Sequence, residues 1–269
     1  MTDGGDYRMN GQGILERTEA IMTCFSSDRF ILTAAEVAKQ TDIAISSVHR
    51  MIVKLLELGW LVRTGSHHYT IGIRLWQLGE LAPALLILRE IATPHLTTLY
   101  EATRQNVHLA VVAGSDPLHA GALFIARVAG VSSVPTVARV GGTFPLHTTG
   151  VGKALLATQP SDWIDIHLSS GLLAETRFSI VEERILRQQL DVVRARNYAV
   201  AMEEMSLGTA SVAAPVGPIG GFPGAAIGVV TTVADFRETE LAAVVRSGAR
   251  AVSDSLRSYN GSAVAVACD

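Results

Sequence analysis

The segment from Thr33 to Tyr69 constrains this chain more than any other stretch. Thr33-Ala-Ala-Glu36 has the form of a capping box, in which the Thr hydroxyl accepts from the Glu36 N–H and the Glu carboxylate reaches back. It predicts a short helix carrying Val37 and Ala38, and Asp42 to Ile45 supplies a turn. A second helix is expected over about Ser46 to Leu58, burying Val48, Ile52, Leu55 and Leu56, with Gly59 as the residue past its C-cap. Trp60–Arg63 and Tyr69–Ile71 then alternate as short strands around Gly65-Ser66, a hairpin or wing. A first helix upstream, with Ile14, Ile21, Met22 and Phe25 on one side, completes a winged helix-turn-helix.

The outward face of the second helix suits the major groove of DNA. Arg50 is placed for a guanine edge or a phosphate, Ser46, Ser47 and His49 for backbone or bases, and Lys54 stands beside them. Arg63, His67 and His68 on the wing suit phosphates or a minor groove. The bland alternative is a solvated helix face beside a charged loop. Capping box, turn, Gly59 stop and hairpin follow in the order a winged helix needs, which favours DNA. A net charge of −3 argues the other way, but residues 46–74 hold Arg50, Lys54, Arg63 and Arg74 against the single acid Glu57. Groove binding depends on that local potential.

From Ile73 to Arg104 the pattern is helical, interrupted by Pro83 and Pro94. It predicts a linker helix over 73–88 with Leu75, Leu78 and Leu81, then a helix with Leu96, Leu99 and Ala102. This is more apolar surface than one small domain buries, so self-association is expected. Beyond it, strands are expected at Val107–Ala113, Leu123–Val128, Pro135–Val140, Tyr198–Met202, Ala210–Val216 and Ala225–Thr232. The last two are joined by the turn-rich GPIGGFPG. Helices are expected at Gly150–Ala157, Ser161–Leu168, Val181–Arg196 (Ile185, Leu190 and Val193 inward) and Arg237–Tyr259. The fold class is α+β: an antiparallel sheet flanked by helices follows the winged helix and linker. The expected bounds are a flexible tail 1–12, a DNA-binding domain 13–72, the linker helix 73–88, a second domain 89–260 and a tail 261–269.

Apolar residues make up 48% of the 269, enough for a substantial core. No apolar run approaches the roughly 18 residues of a membrane span, and the polar N-terminus lacks a signal-peptide pattern. Cys24 and Cys268 lie near opposite ends, so no structural disulfide is expected and a reducing cytoplasm fits. His95, His108, His119 and His167 have no metal-ligand spacing. His147 and Lys153 lack a nucleophile–base–orienter set, and Glu203-Glu204 reads as salt bridges or solvated turns. No catalytic residue, metal or cofactor is expected.

Pro145-Leu-His-Thr-Thr-Gly-Val-Gly-Lys153 stands between a strand and a helix. Gly150 and Gly152 permit close backbone approach, and the N–H groups of the following helix start favour an anion. The alternative is that they merely allow a tight turn. A P-loop is excluded, because it needs Gly at the position of His147 and Ser or Thr at Ala154.

Three segments together resemble IclR-type bacterial transcriptional regulators. They are SSVHRMIVKLLELGWLV with its hairpin and YTIG exit, FPLHTTGVGKALLAT (Phe144–Thr158) and RARNYAVAMEEMSLGTASVAAPV (Arg194–Val216). The resemblance implies a winged helix, a linker helix and a GAF-like effector-binding domain. It also implies a homodimer or dimer of dimers on a palindromic double-stranded DNA operator. Carried over, the effector positions are Leu146, Thr149, Gly150, Val151, Ser211, Gly228 and Val230. The chain departs from the family where Gly228 and Val230 replace hydroxyl residues that often hold a carboxylate, and where Ala201 replaces a usual Asp. Either Thr231 or Thr232 substitutes after a register shift, or the effector is less acidic and more apolar, such as an aromatic compound. The expectation is a cytoplasmic repressor whose operator affinity is controlled by a small organic acid or aromatic effector. The alternatives are a small-molecule enzyme with a helical assembly module, for which the second domain lacks core cysteines, and a protein-interaction adaptor.

Overall fold

The computed structural model describes residues 13–26, 29–114, 116–130 and 133–259. The two expected tails, 1–12 and 261–269, and Cys268 lie outside the described residues. The chain divides into two compact units, Met1–Ala82 and Pro83–Asp269.

The first unit runs α1 (Ile14–Thr23), β1 (Leu32–Thr33), α2 (Ala34–Thr41), α3 (Ile45–Glu57), β2 (Leu61–Thr64), β3 (His68–Ile71) and α4 (Ile73–Gly79). The capping box forms: the Glu36 N–H donates to Thr33 Oγ1 at 3.3 Å, and the Thr33 N–H donates to Glu36 Oε2 at 2.7 Å. Asp42, in the left-handed region at φ 53°, ends α2 and turns the chain into α3. The latter begins one residue earlier than expected, at Ile45, behind an Ala44 cap that has no side chain to contribute. Its far end is a Schellman motif. The Gly59 N–H donates to Leu56 O, the Trp60 N–H donates to Leu55 O, and Gly59 holds φ +70°. Ile21, Val37, Val48, Ile52, Leu55 and Leu61 fill the core beneath. Leu56 is only half-buried and Ile14 is exposed, because α1 turns both Ile14 and Leu15 away from this core. The strand β1, absent from the sequence-based expectation, pairs Leu32 with Tyr69, so the wing is a three-stranded sheet ordered β1-β3-β2.

A single helix over 73–88 does not form. α4 stops at Gly79, and α5 (Pro83–Thr103) starts afresh at Pro83, whose fixed φ and missing N–H suit a first turn. Pro94 sits inside α5 and removes one helical hydrogen bond. The helix continues through it because Ala84, Leu88, Ala92, Leu96 and Leu99 form one buried stripe.

The second unit continues with β4 (Asn106–Ala113), β5 (Gly121–Val128), β6 (Thr143–Phe144), α6 (Gly150–Ala157), α7 (Ser161–Ser169), α8 (Glu183–Arg196), β7 (Ala199–Met202), β8 (Thr209–Val216), β9 (Ala225–Thr232) and α9 (Glu238–Ser258). The sheet is antiparallel, ordered β6-β5-β4-β9-β8-β7. Strand alternation sends Val107, Leu109, Val212, Ile227 and Val229 to the side covered by α5 and α9. It sends Ala110, Phe124 and Ala213 to the side covered by α6, α7 and α8. β8 and β9 pair from Thr209–Thr232 to Val216–Ala225. Their loop closes on an Ile219–Phe222 bridge with Gly220 and Gly221 both at positive φ, as a type I′ turn requires.

Two expectations fail here. Residues 135–140 form no strand: the Val-Pro-Thr-Val-Ala run alternates like one but finds no ladder partner. In α8 the inward stripe is Leu186, Leu190 and Val193, while Ile185 is 37% exposed. No described helix is long and apolar enough to cross a membrane.

Candidate functional site

In the first unit, burial of Val48, Ile52 and Leu55 fixes which face of α3 points outward. Ser46, His49, Arg50 and Lys54 are exposed there and Ser47 is half-buried. Arg50 Nη2 donates to Ser47 Oγ at 3.3 Å, and Lys54 Nζ meets Glu57 Oε2 at 2.8 Å across one exposed turn. Exposed contacts of this kind are worth little. On the wing, Arg63, His67 and His68 are exposed, with the Arg63 guanidinium 5.8 Å from the Tyr69 ring centroid. The unit thus holds every DNA-contact candidate on exposed or half-exposed positions of a rigid scaffold.

In the second unit, a partly open pocket lies between the sheet and the start of α6. Thr149 caps α6, its Oγ1 accepting from the Gly152 N–H at 3.0 Å, while the Gly150 N–H donates to Ser211 Oγ at 3.2 Å. Two donors of the first helical turn are therefore already used, which leaves less for an anion than the bare motif suggested. The glycines are required by packing: a Cβ on Gly150 would lie 2.7 Å from Ser211 Oγ, and one on Gly228 would lie 2.7 Å from Val151 Cγ1. They let α6 seat directly on β8 and β9.

Of the expected effector positions, Thr149, Gly150, Val151, Ser211, Gly228 and Val230 line this cavity. Leu146 does not; it is fully buried in the hydrophobic layer on the α6 side of the sheet. No register shift occurs on β9. Thr231 alternates away from the cavity, and Thr232 donates to Asp235 Oδ2 at 2.7 Å. Gly228 and Val230 therefore offer the cavity no hydroxyl, and neither Thr231 nor Thr232 takes their place.

Sequence reasoning missed the aromatic wall. His108 of β4, Phe124 of β5 and Phe144 of β6 face the cavity and meet edge to face, with centroid separations of 5.1 Å and 5.2 Å. Thr136, Val137 and Ala138, from the supposed strand, also line it. Glu204 lies on the wall too, and Lys153 Nζ reaches its Oε1 at 2.6 Å from behind. No Lys or Arg is among the described residues lining the cavity. Burial holds the His108 imidazole neutral, with the Arg127 charge adding to the effect, and brings its pKa down to about 3.

The other candidate histidines are occupied structurally. His147 Nε2 meets Leu173 O at 2.9 Å, His95 Nε2 meets Ser255 Oγ at 2.9 Å, and His167 Nδ1 meets Pro117 O at 2.7 Å. His119 pairs with Asp116. No group of three or more His, Cys, Asp or Glu among the described residues is placed to hold a metal ion.

Known proteins match along both units. Residues 85–254 match the family described as bacterial transcriptional regulator IclR, C-terminal, and residues 14–65 match the IclR helix-turn-helix domain. The transcriptional repressor IclR of Escherichia coli is 30% identical over 223 residues, 81% of this chain and 80% of that protein. The glycerol operon regulatory protein of Streptomyces coelicolor is 30% identical over 249 residues, 90% of this chain and 95% of that protein. An IclR homolog from Microbacterium hydrocarbonoxydans, crystallised with 4-hydroxybenzoate, shares the fold with a TM-score of 0.82 at 24% identity, covering 92% of this chain and all of that one.

Proposed function

We propose an effector-controlled operator switch for this chain, which belongs to the IclR family of bacterial transcriptional regulators. It is a DNA-binding transcriptional regulator. In the proposal α3 enters the major groove, with Ser46, Ser47, His49, Arg50 and Lys54 at bases and phosphates, while Arg63, His67 and His68 hold the flanking backbone. The cavity takes a small organic effector against Thr149, Gly150, Val151, Ser211, Gly228 and Val230, and Leu146 supports that wall from the core.

An aromatic effector fits better than a small dicarboxylate. The His108–Phe124–Phe144 ridge supports this, as does the absence of Lys and Arg from the described lining. The 4-hydroxybenzoate held by the Microbacterium protein points the same way. The chain acts as a cytoplasmic repressor, as a homodimer or dimer of dimers on a palindromic operator, and carries no catalytic activity or cofactor. Supporting the last point, His147 is spent on a backbone carbonyl and Lys153 on Glu204.

The observation that carries the DNA reading is the exposed cationic face of α3, opposite Val48, Ile52 and Leu55. Replacing Arg50 with Ala tests it. Specific operator binding should weaken by roughly 1–3 kcal/mol, with effector affinity near wild type. Unchanged operator affinity in an anisotropy titration at fixed salt contradicts the assignment.

A further inference from the structure

Two buried polar atoms of residues lining the cavity have no hydrogen-bond partner among the described residues: His108 Nε2 and Glu204 Oε2. Buried polar groups are ordinarily satisfied, and leaving one bare costs about 1–3 kcal/mol. His108 sits on β4, directly across from Gly228 of β9, which has no side chain to offer it anything, and from Arg127 of β5. The Arg127 guanidinium is engaged elsewhere, donating to Asn106 Oδ1 at 2.7 Å from Nη2. The flanking Phe124 and Phe144 rings offer only apolar surface. Glu204 shares one oxygen with Lys153 and leaves the other bare. A carboxylate oxygen accepts and never donates, so a group that satisfies it must carry an N–H or O–H.

We infer that the effector is a hydroxyl-bearing aromatic compound and that His108 is the specificity residue that reads the hydroxyl. This rests on the proposed reading of the cavity as the effector site. A neutral imidazole presents one N–H and one lone pair. A hydroxyl both donates and accepts, so it satisfies the ring in either tautomer, while an unsubstituted ring edge leaves Nε2 bare. The Phe124 and Phe144 rings supply the apolar surface for the remainder of the ligand.

Calorimetric titration of the full chain with benzoate and the three monohydroxybenzoates tests this, in wild type, His108→Leu and His108→Asn. In wild type at least one hydroxybenzoate should bind about 10-fold or more tighter than benzoate, the equivalent of one hydrogen bond. In His108→Leu that ratio should collapse towards one. In His108→Asn, which keeps a donor and an acceptor, part of the preference should survive, and this variant carries the comparison if the Leu protein does not fold. A wild type that binds benzoate as well as every hydroxybenzoate overturns the inference and leaves the cavity reading standing. So does a preference that His108→Leu leaves intact, or one that His108→Asn abolishes outright while it still binds benzoate. A wild type that binds none of the four overturns both the inference and the aromatic effector reading.

Discussion

Lys153 Nζ lies 2.6 Å from Glu204 Oε1, with both side chains sealed from solvent. Lys153 also donates to Gln189 Oε1 at 2.7 Å and to Val200 O at 3.3 Å. One ammonium therefore ties α6 to α8, to β7 and to the turn that follows it. Burial draws Lys153 below its ordinary range and lifts the Glu204 carboxyl above its own, while each charge holds the other back. Such a pair adds little net stability, yet breaking it is costly because one charge stays behind.

Lys153→Met should accordingly destabilise the second unit by about 3–5 kcal/mol. Adding Glu204→Leu should recover a large part of that loss, since the stranded carboxylate goes with it. Urea melts of the two single variants and the double variant measure the coupling. Strictly additive losses would show that the two side chains do not act as a pair.

Gly72 and Gly79 bracket α4 and should respond oppositely to Ala. The Gly72 N–H donates to Trp60 O at 2.7 Å, and a Cβ on Gly72 would run into the Gly59 carbonyl oxygen, while one on Gly79 meets nothing within 4 Å. Gly72→Ala should cost about 1–3 kcal/mol through overpacking. Gly79→Ala should be neutral or stabilising by up to roughly 1 kcal/mol. Hydrogen exchange of the β2–β3 amides reads the local effect, and equal protection in both variants contradicts the assigned contact.

His108 predicts an acid-labile second unit. Its pKa is about 3 in the folded chain against an ordinary 6.5, so between those values the unfolded chain binds the extra proton. Stability from this group is fully present above about pH 6.5 and is lost as pH falls, by roughly 1.4 kcal/mol per unit. His108→Asn removes the titration. Urea melts at pH 7, 6 and 5 should show wild type losing stability faster than the variant. Parallel behaviour of the two proteins would mean that His108 is not held neutral.

Much of the fold is legible in local chemistry. Gly150–Ala157 and Ala225–Thr232 are read to the residue, because a strand-to-helix glycine turn and a glycine-rich hairpin punctuate them. The α2–α3 pair follows from Thr33, Glu36 and Gly59. What fails depends on partners that no local pattern names. Residues 135–140 alternate like a strand but pair with nothing, and instead supply cavity wall. Pro94 reads as a break, yet the stripe from Ala84 to Leu99 carries α5 through it. At the site, Leu146 is an apolar residue whose direction spacing does not reveal. His108 sits in the apolar run Val-His-Leu-Ala-Val and passes as a core histidine. Its place beside Phe124, and through it Phe144, depends on β5 folding beside β4 and β6 beside β5, with an irregularity after Leu109 setting the register.

The most direct test of the switch is operator affinity measured with and without saturating effector, on one protein at one salt concentration. The account predicts a change of roughly 5–150-fold, about 1–3 kcal/mol of coupling, with effector affinity shifted by the same factor when operator is bound. An effector that saturates the cavity and leaves operator affinity unchanged would contradict it.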